Sequence, residues 1–195
     1  MLRFFPLFLC LTALPAVACP YRLEPGQVAV LTSENPPSTE RFTRTDKGVT
    51  QHRLTQWPEG PDEANYLYPH PLIVGERVSD GVTLSFRYKG NPLEWLDQLP
   101  SRQGWRANVV LYRDGVAQTK GTNKLEFLGL GRVEIGDCRY GVWRVQEVME
   151  LDGMEPITFE KAFNPDLGLV LLVTRTGPDG SALSVAGYDR IEVED

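Results

Sequence analysis

Histidine is nearly absent: His52 and His70 are the 2 among 195 residues. They do not stand at a helical i, i+4 spacing, and no acidic-histidine motif surrounds either, so the usual zinc-hydrolase signature is excluded. No Gly-x-Ser-x-Gly elbow, phosphate-cradling glycine loop or dinucleotide fingerprint occurs. The sequence therefore implies no metal and no cofactor. Basic residues are outnumbered, 20 Lys and Arg against 26 Asp and Glu, for a net charge of -6. That balance argues against a nucleic-acid partner, which would want a basic face. Internal repeats and low-complexity tracts are missing, and beyond the N-terminal segment no apolar run is long enough for a transmembrane span.

What is present begins with that N-terminal segment. Arg3 gives a positive start, Phe4 to Leu14 is apolar, Pro15 breaks the run, and Ala16-Val17-Ala18 offers small residues to a signal peptidase. Residues 1–18 read as a cleavable signal peptide, and residues 19–195 as a single domain of ordinary size. The location expected is periplasmic or secreted. Ala16-Val17-Ala18-Cys19 is also a loose lipobox, so a lipid anchor at Cys19 is the alternative. Ala16 and Pro20 both depart from the usual pattern of that motif.

Of three cysteines, Cys10 leaves with the signal, and Cys19 and Cys138 remain. An even pair in an oxidising compartment points to a disulfide. Acylation of Cys19 would use the same sulfur and leave Cys138 as a free thiol, so the two readings exclude each other.

The rest reads as strands and turns. Val82 to Tyr88 alternates without a fault, and Trp105, Ala107, Val109 and Leu111 repeat the pattern before a hairpin turn at Arg113-Asp114-Gly115. Val28–Thr32, Arg41–Thr45 and Val49–Leu54 are earlier strands, and His52 shares the last with Thr50 and Leu54. A C-terminal meander follows: Tyr140–Leu151, Ile157–Phe163, Gly168–Thr174, and Ala182–Val193 with a bend at Gly187. Leu169 to Val173 is apolar at both parities, as a strand covered on both faces would be. One short helix is expected, with Asn91 as cap, Pro92 in its first turn, and Leu93, Trp95, Leu96 and Leu99 on its apolar side before Pro100. The fold class is mainly β, an antiparallel curved sheet or half-barrel with one or two short helices. A β-sandwich is the alternative.

Two places could hold a ligand. Residues 56–75 carry Pro58, Pro61, Pro69 and Pro71 with Trp57, Tyr66, Tyr68 and His70. This is either a lid or binding loop, or a proline-rich edge strand or packed crossover. The second place is a row of one parity. Trp143, Val145, Glu147, Met149 and Leu151 share it on one strand, and Ile157, Phe159, Lys161 and Phe163 on the next. With Leu151 opposite Ile157, Glu147 would face Lys161 in an otherwise apolar row. A two-residue Asp152-Gly153 turn would instead flip the second strand, unless a bulge near Pro156 restores it. The pair is then a rim salt bridge, a buried register-fixing pair, or the polar anchor of a pocket with Trp143, Met149 and Phe159.

The run Phe163-Asn164-Pro165-Asp166-Leu167-Gly168-Leu169-Val170, followed by Gly177-Pro178-Asp179-Gly180, resembles a recurring feature of small exported proteins of Gram-negative bacteria. Some of these are similar to the incomplete barrels of periplasmic lipoprotein carriers. The resemblance implies a curved sheet and an acyl-chain or other apolar ligand, and it assigns no functional residue. Three functional readings follow. A non-catalytic envelope protein that binds an apolar small molecule or a partner envelope protein would show an apolar concave pocket. A hydrolase would bring His52 or His70 against two carboxylates. An assembly factor would have a filled core and an exposed apolar patch.

Overall fold

The computed structural model describes residues 19–195. Residues 1–18, the segment read from sequence as a signal peptide, lie outside them. The order is β1 (Val28–Glu34), β2 (Pro37–Thr45), β3 (Gly48–Trp57), β4 (Gly60–Tyr68), β5 (Glu76–Ser79) and β6 (Val82–Gly90). A 3-10 helix (Leu93–Gln98) runs into a single helical turn, α1 (Leu99–Arg102). Then come β7 (Gly104–Arg113), β8 (Val116–Ile135), β9 (Cys138–Leu151) and β10 (Ile157–Asn164). β11 (Leu169–Thr176), β12 (Ala182–Gly187) and β13 (Arg190–Glu194) complete the chain.

Neighbours in sequence are neighbours in space. All 13 strands form one antiparallel sheet in which β1 to β12 pair in chain order and β13 joins the far side of β1. The curved sheet expected from the alternating patterns is there, and the single ladder sets the sandwich aside. The ladder is not closed, but its two edge strands are consecutive. Only Tyr188 and Asp189 separate β12, on β11, from β13, on β1. A step of that length spans about 10 Å at full extension, so the sheet must curl until its edges nearly meet. The expected bend at Gly187 is this step from one neighbour to the other.

Register follows burial. Ala29 and Leu31, Phe42, Val49, Ala64, Ala107 and Val109, Leu125 and Val145 are buried, at inward positions of their strands. Two buried clusters result. One gathers Leu31, Phe42, Val49, Tyr140, Val142, Leu169 and Leu171 with Leu23 of the N-terminal segment. The other gathers Leu72, Ile73, Leu96, Leu99, Trp105, Leu125, Val145 and Phe163. β9 contributes opposite parities to the two, Val142 to the first and Val145 to the second, and β8 carries a bulge at Phe127–Gly129 opposite that change. β11 is apolar at both parities for the same reason: Leu169 and Leu171 enter the first cluster and Val170 packs on the second.

The helical segment differs in detail from expectation. Asn91 is not its cap; the helix starts after Pro92 with no side-chain cap bond, and Pro100 lies inside α1. Proline is tolerated in a first turn because those N–H groups have no helical partner. Leu96 and Leu99 are fully buried in the second cluster, and Trp105 Nε1 donates to the Pro92 carbonyl at 3.1 Å. The turn at Asn164–Gly168 is built as its residues require. The Leu167 N–H donates to Asn164 Oδ1 at 2.6 Å, and Gly168 takes φ +65°.

Cys19 and Cys138 are disulfide-bonded, with their Cα atoms 5.6 Å apart and the two residues separated by 119 positions in sequence. The bond fastens the N-terminal segment to the start of β9, beside buried Leu23. Closing so long a loop restricts the unfolded chain by about 4–5 kcal/mol on the chain-entropy argument. Replacing both cysteines by serine is expected to lower the urea midpoint substantially, and reductant to do the same to the wild type alone. An unchanged midpoint would remove the bond from the account of stability.

Candidate functional site

A cavity of about 370 Å³ lies inside the curl of the sheet. That is within the range of small-molecule sites, at roughly 300–1,000 Å³. Its apolar wall comes from Leu84 and Phe86 of β6, Met149 of β9, Ile157 and Phe159 of β10, and Val173 of β11. Pro71 and Val74, from the loop between β4 and β5, complete that side. The opposite wall is polar: Glu40, Gln51, Arg53, Tyr66, Tyr68, Arg77 and Tyr188. A larger hollow of about 840 Å³ lies over β2 to β5, but it is lined mainly by outward residues such as Arg41, Thr43, His52 and Asn65. It is a shallow groove on the sheet's outer face.

Six of the eight residues singled out from sequence line the cavity: Tyr66, Tyr68, Glu147, Met149, Phe159 and Lys161. Glu147 and Lys161 share a face as expected, but the register differs by two residues. Met149 pairs with Ile157, Glu147 with Phe159, and Lys161 with Val145. The objection raised by the turn is met. The Met154 N–H does bond the Leu151 carbonyl across Asp152-Gly153, at 3.0 Å. Between that turn and the ladder, β10 then spends one residue more than β9, which returns the parity. Glu147 and Lys161 become diagonal neighbours, with Nζ 2.5 Å from Oε2 and the side chains only 4% and 8% exposed. They are buried, not a rim bridge. Lys161 Nζ also donates to the Leu72 carbonyl at 2.7 Å, and Asn123 Nδ2 donates to Glu147 Oε1 at 2.7 Å.

Trp143 and His70 do not line the cavity. Trp143 sits opposite Phe163 and packs edge-on against it and against Phe127, at 5.4 and 6.4 Å between ring centres. The two-residue shift carries it beyond the cavity, into the second cluster. His70 is buried beside Phe163, its Nδ1 accepts the Leu72 N–H at 3.2 Å, and its Nε2 lies 3.3 Å from Asp97. It holds the 69–75 loop in place. His52 is on the outer face, 2.8 Å from Glu63.

The 56–75 segment is likewise resolved. Its first part is β4, a full partner of β3, with Ala64, Tyr66 and Tyr68 inward and Pro61 only at its start. Its second part is the short loop whose Leu72 and Ile73 are fully buried. It is a seated covering segment, not a long free lid.

Four polar residues of the opposite wall had no separate signal in sequence: Glu40, Gln51, Arg53 and Arg77. They occupy inward positions of strands whose alternation otherwise looks ordinary. Gln51 Nε2 donates to Glu40, Tyr188 OH donates to the same carboxylate at 2.6 Å, and Tyr68 OH donates to Gln51 Oε1 at 2.5 Å. Burial holds the Glu40 carboxyl above its ordinary range, against the lowering effect of Tyr188, Arg53 and Gln51. Burial also pushes the Tyr68 and Tyr188 phenols upward, so both stay neutral donors at physiological pH.

Among the described residues, no group of three His, Cys, Asp or Glu side chains is placed to hold a metal ion. No family model, no curated protein and no solved structure matches this chain.

Two outcomes are expected. Lys161→Met alone leaves Glu147 as an unpaired buried charge and is expected to cost about 3–5 kcal/mol in chemical denaturation. Adding Glu147→Gln should recover much of that loss; equal instability of the single and double variants would deny the coupling. Burial also pushes the His70 imidazole below its ordinary 6.5, outweighing Asp97. The unfolded chain then takes up a proton near that value while the folded one does not, so this residue's contribution is lost as pH falls below about 6.5. Wild type should lose stability more steeply than His70→Gln between pH 7 and 5, and parallel profiles would contradict this.

Proposed function

We propose that this is an exported, non-catalytic cell-envelope protein that holds an apolar small molecule inside its curled sheet. The observation that carries the reading is the cavity between two packed clusters, walled on one side by Leu84, Phe86, Met149, Ile157, Phe159 and Val173. A sheet that needed only stability would fill this space, since interiors pack closely and empty volume costs stability. The hydrolase reading finds less support. His52 and His70 each meet a single carboxylate, Glu63 and Asp97, on different faces of the fold.

The disulfide supports work in an oxidising compartment, as the export signal would require. It also favours the unanchored form, because the Cys19 sulfur joined to Cys138 has no valence left for a lipid thioether.

The test is binding of Nile red, a neutral fluorophore that brightens in apolar surroundings, to the purified protein. Saturable brightening is expected, and Val173→Trp, which fills the cavity, should weaken it about tenfold or more. Absence of saturable binding by a folded wild-type protein would overturn the reading.

A further inference from the structure

The cavity's polar wall carries a cation that no carboxylate answers. Arg77 reaches from β5 into the cavity, where its Nε donates to Tyr66 OH at 3.2 Å and its Nη2 to Ser79 Oγ at 3.1 Å. Among the described residues no carboxylate oxygen lies within 4.0 Å of its guanidinium nitrogens. A guanidinium has five N–H donors, so most of its donor capacity is unspent.

Arg53 stands beside it. Both guanidinium carbons lie over the Tyr66 ring, at 5.3 Å for Arg53 and 6.0 Å for Arg77. Arg53 donates to Asp62 at 3.0 Å, yet its Nε is buried with no partner. The other charged lining groups are accounted for. Glu147 and Lys161 neutralise each other, and Glu40 already accepts hydrogen bonds from Gln51 and Tyr188. Of the charged groups that line the cavity, three are cations, Arg53, Arg77 and Lys161, and two are carboxylates, Glu40 and Glu147, so the lining carries one positive charge in surplus, and Arg77 is the cation with no carboxylate in reach among the described residues.

The apolar wall begins immediately next to it. Leu84 is the cross-strand partner of Arg77, and Phe86 follows on the same face. A ligand whose charged end meets Arg77 lays its adjoining atoms on Leu84 and Phe86 without a turn. One surplus cation matches a monoanion, and the planar guanidinium fork matches a carboxylate in particular. The cavity is equivalent to about a dozen water volumes at roughly 30 Å³ each. That suits one medium-length chain and is too small for a two-chain lipid.

Resting on the apolar-cavity reading above, we infer that the ligand is a single-chain amphiphile with a carboxylate head, its head bound by Arg77, Arg53 and Tyr66 OH and its chain lying along Leu84 and Phe86.

The test compares decanoate with 1-decanol, which differ in the head alone, as competitors of Nile red at pH 7. Decanoate is expected to displace the fluorophore at about tenfold lower concentration, the scale of one charge-assisted hydrogen-bonded contact. Arg77→Gln should abolish that preference, so that acid and alcohol displace the fluorophore at equal concentrations. Arg53→Gln, an independent variant, should reduce the preference. Equal displacement by acid and alcohol, or no displacement by decanoate, would overturn the carboxylate assignment while leaving the apolar cavity standing. A preference retained in both arginine variants would overturn the assignment to this wall. Failure of folded wild-type protein to bind Nile red would overturn the apolar-cavity reading itself, and this inference with it.

Discussion

Two residues hold the architecture in its curled form. Tyr188 and Asp189 carry the chain from the edge beside β11 to the edge beside β1, and no flat arrangement of 13 strands could be spanned by so short a step. The step is fixed on both sides. The Asp189 N–H donates to the Thr32 carbonyl at 2.8 Å, and its carboxylate accepts the Glu34 N–H at 2.7 Å. Tyr188 turns inward to Glu40. The residue that crosses the gap therefore also forms part of the cavity wall. Curvature, cavity and polar wall are consequences of a single short connection.

Within that curl, the interior is divided by chemistry. Each end is packed with aliphatic and aromatic side chains, and the space between them has an apolar side and a hydrogen-bonded side. The buried ion pair stands on the apolar side, and its cost is met by Asn123 and the Leu72 carbonyl, which satisfy the partners on their remaining faces. Lys161 thus touches both the strand floor and the segment that covers it. His70 anchors the same segment from the other direction, through the Leu72 N–H.

The sequence disclosed parity well and register poorly. Alternation placed Glu147, Met149, Phe159 and Lys161 on one face, and that face lines the cavity, because a shift of two residues leaves every side chain on its own side. The shift itself came from the spare residue before β10, which turn chemistry alone does not count. β8 had no clean pattern because the bulge at Phe127–Gly129 interrupts its period and leaves Leu128 and Leu130 exposed. β4 was hidden by its prolines, which fall at its start and in the loop after it. Glu40, Gln51, Arg53 and Arg77 were illegible for a deeper reason: a polar residue at an inward position looks, in one sequence, like a polar residue facing water.

The pairing of β1 with β13 bears on time as well as shape. Val28 lies opposite Glu194, so nearly the whole chain must exist before the first strand finds its second neighbour. Until then β1 is joined on one side only, to β2, and its other backbone edge stays open to whatever strand comes near. A chain emerging from its N-terminus therefore completes its sheet last at the place where it began. The bond from Cys19 to Cys138 can form before that, keeping the early segment against β9 while the final strands arrive.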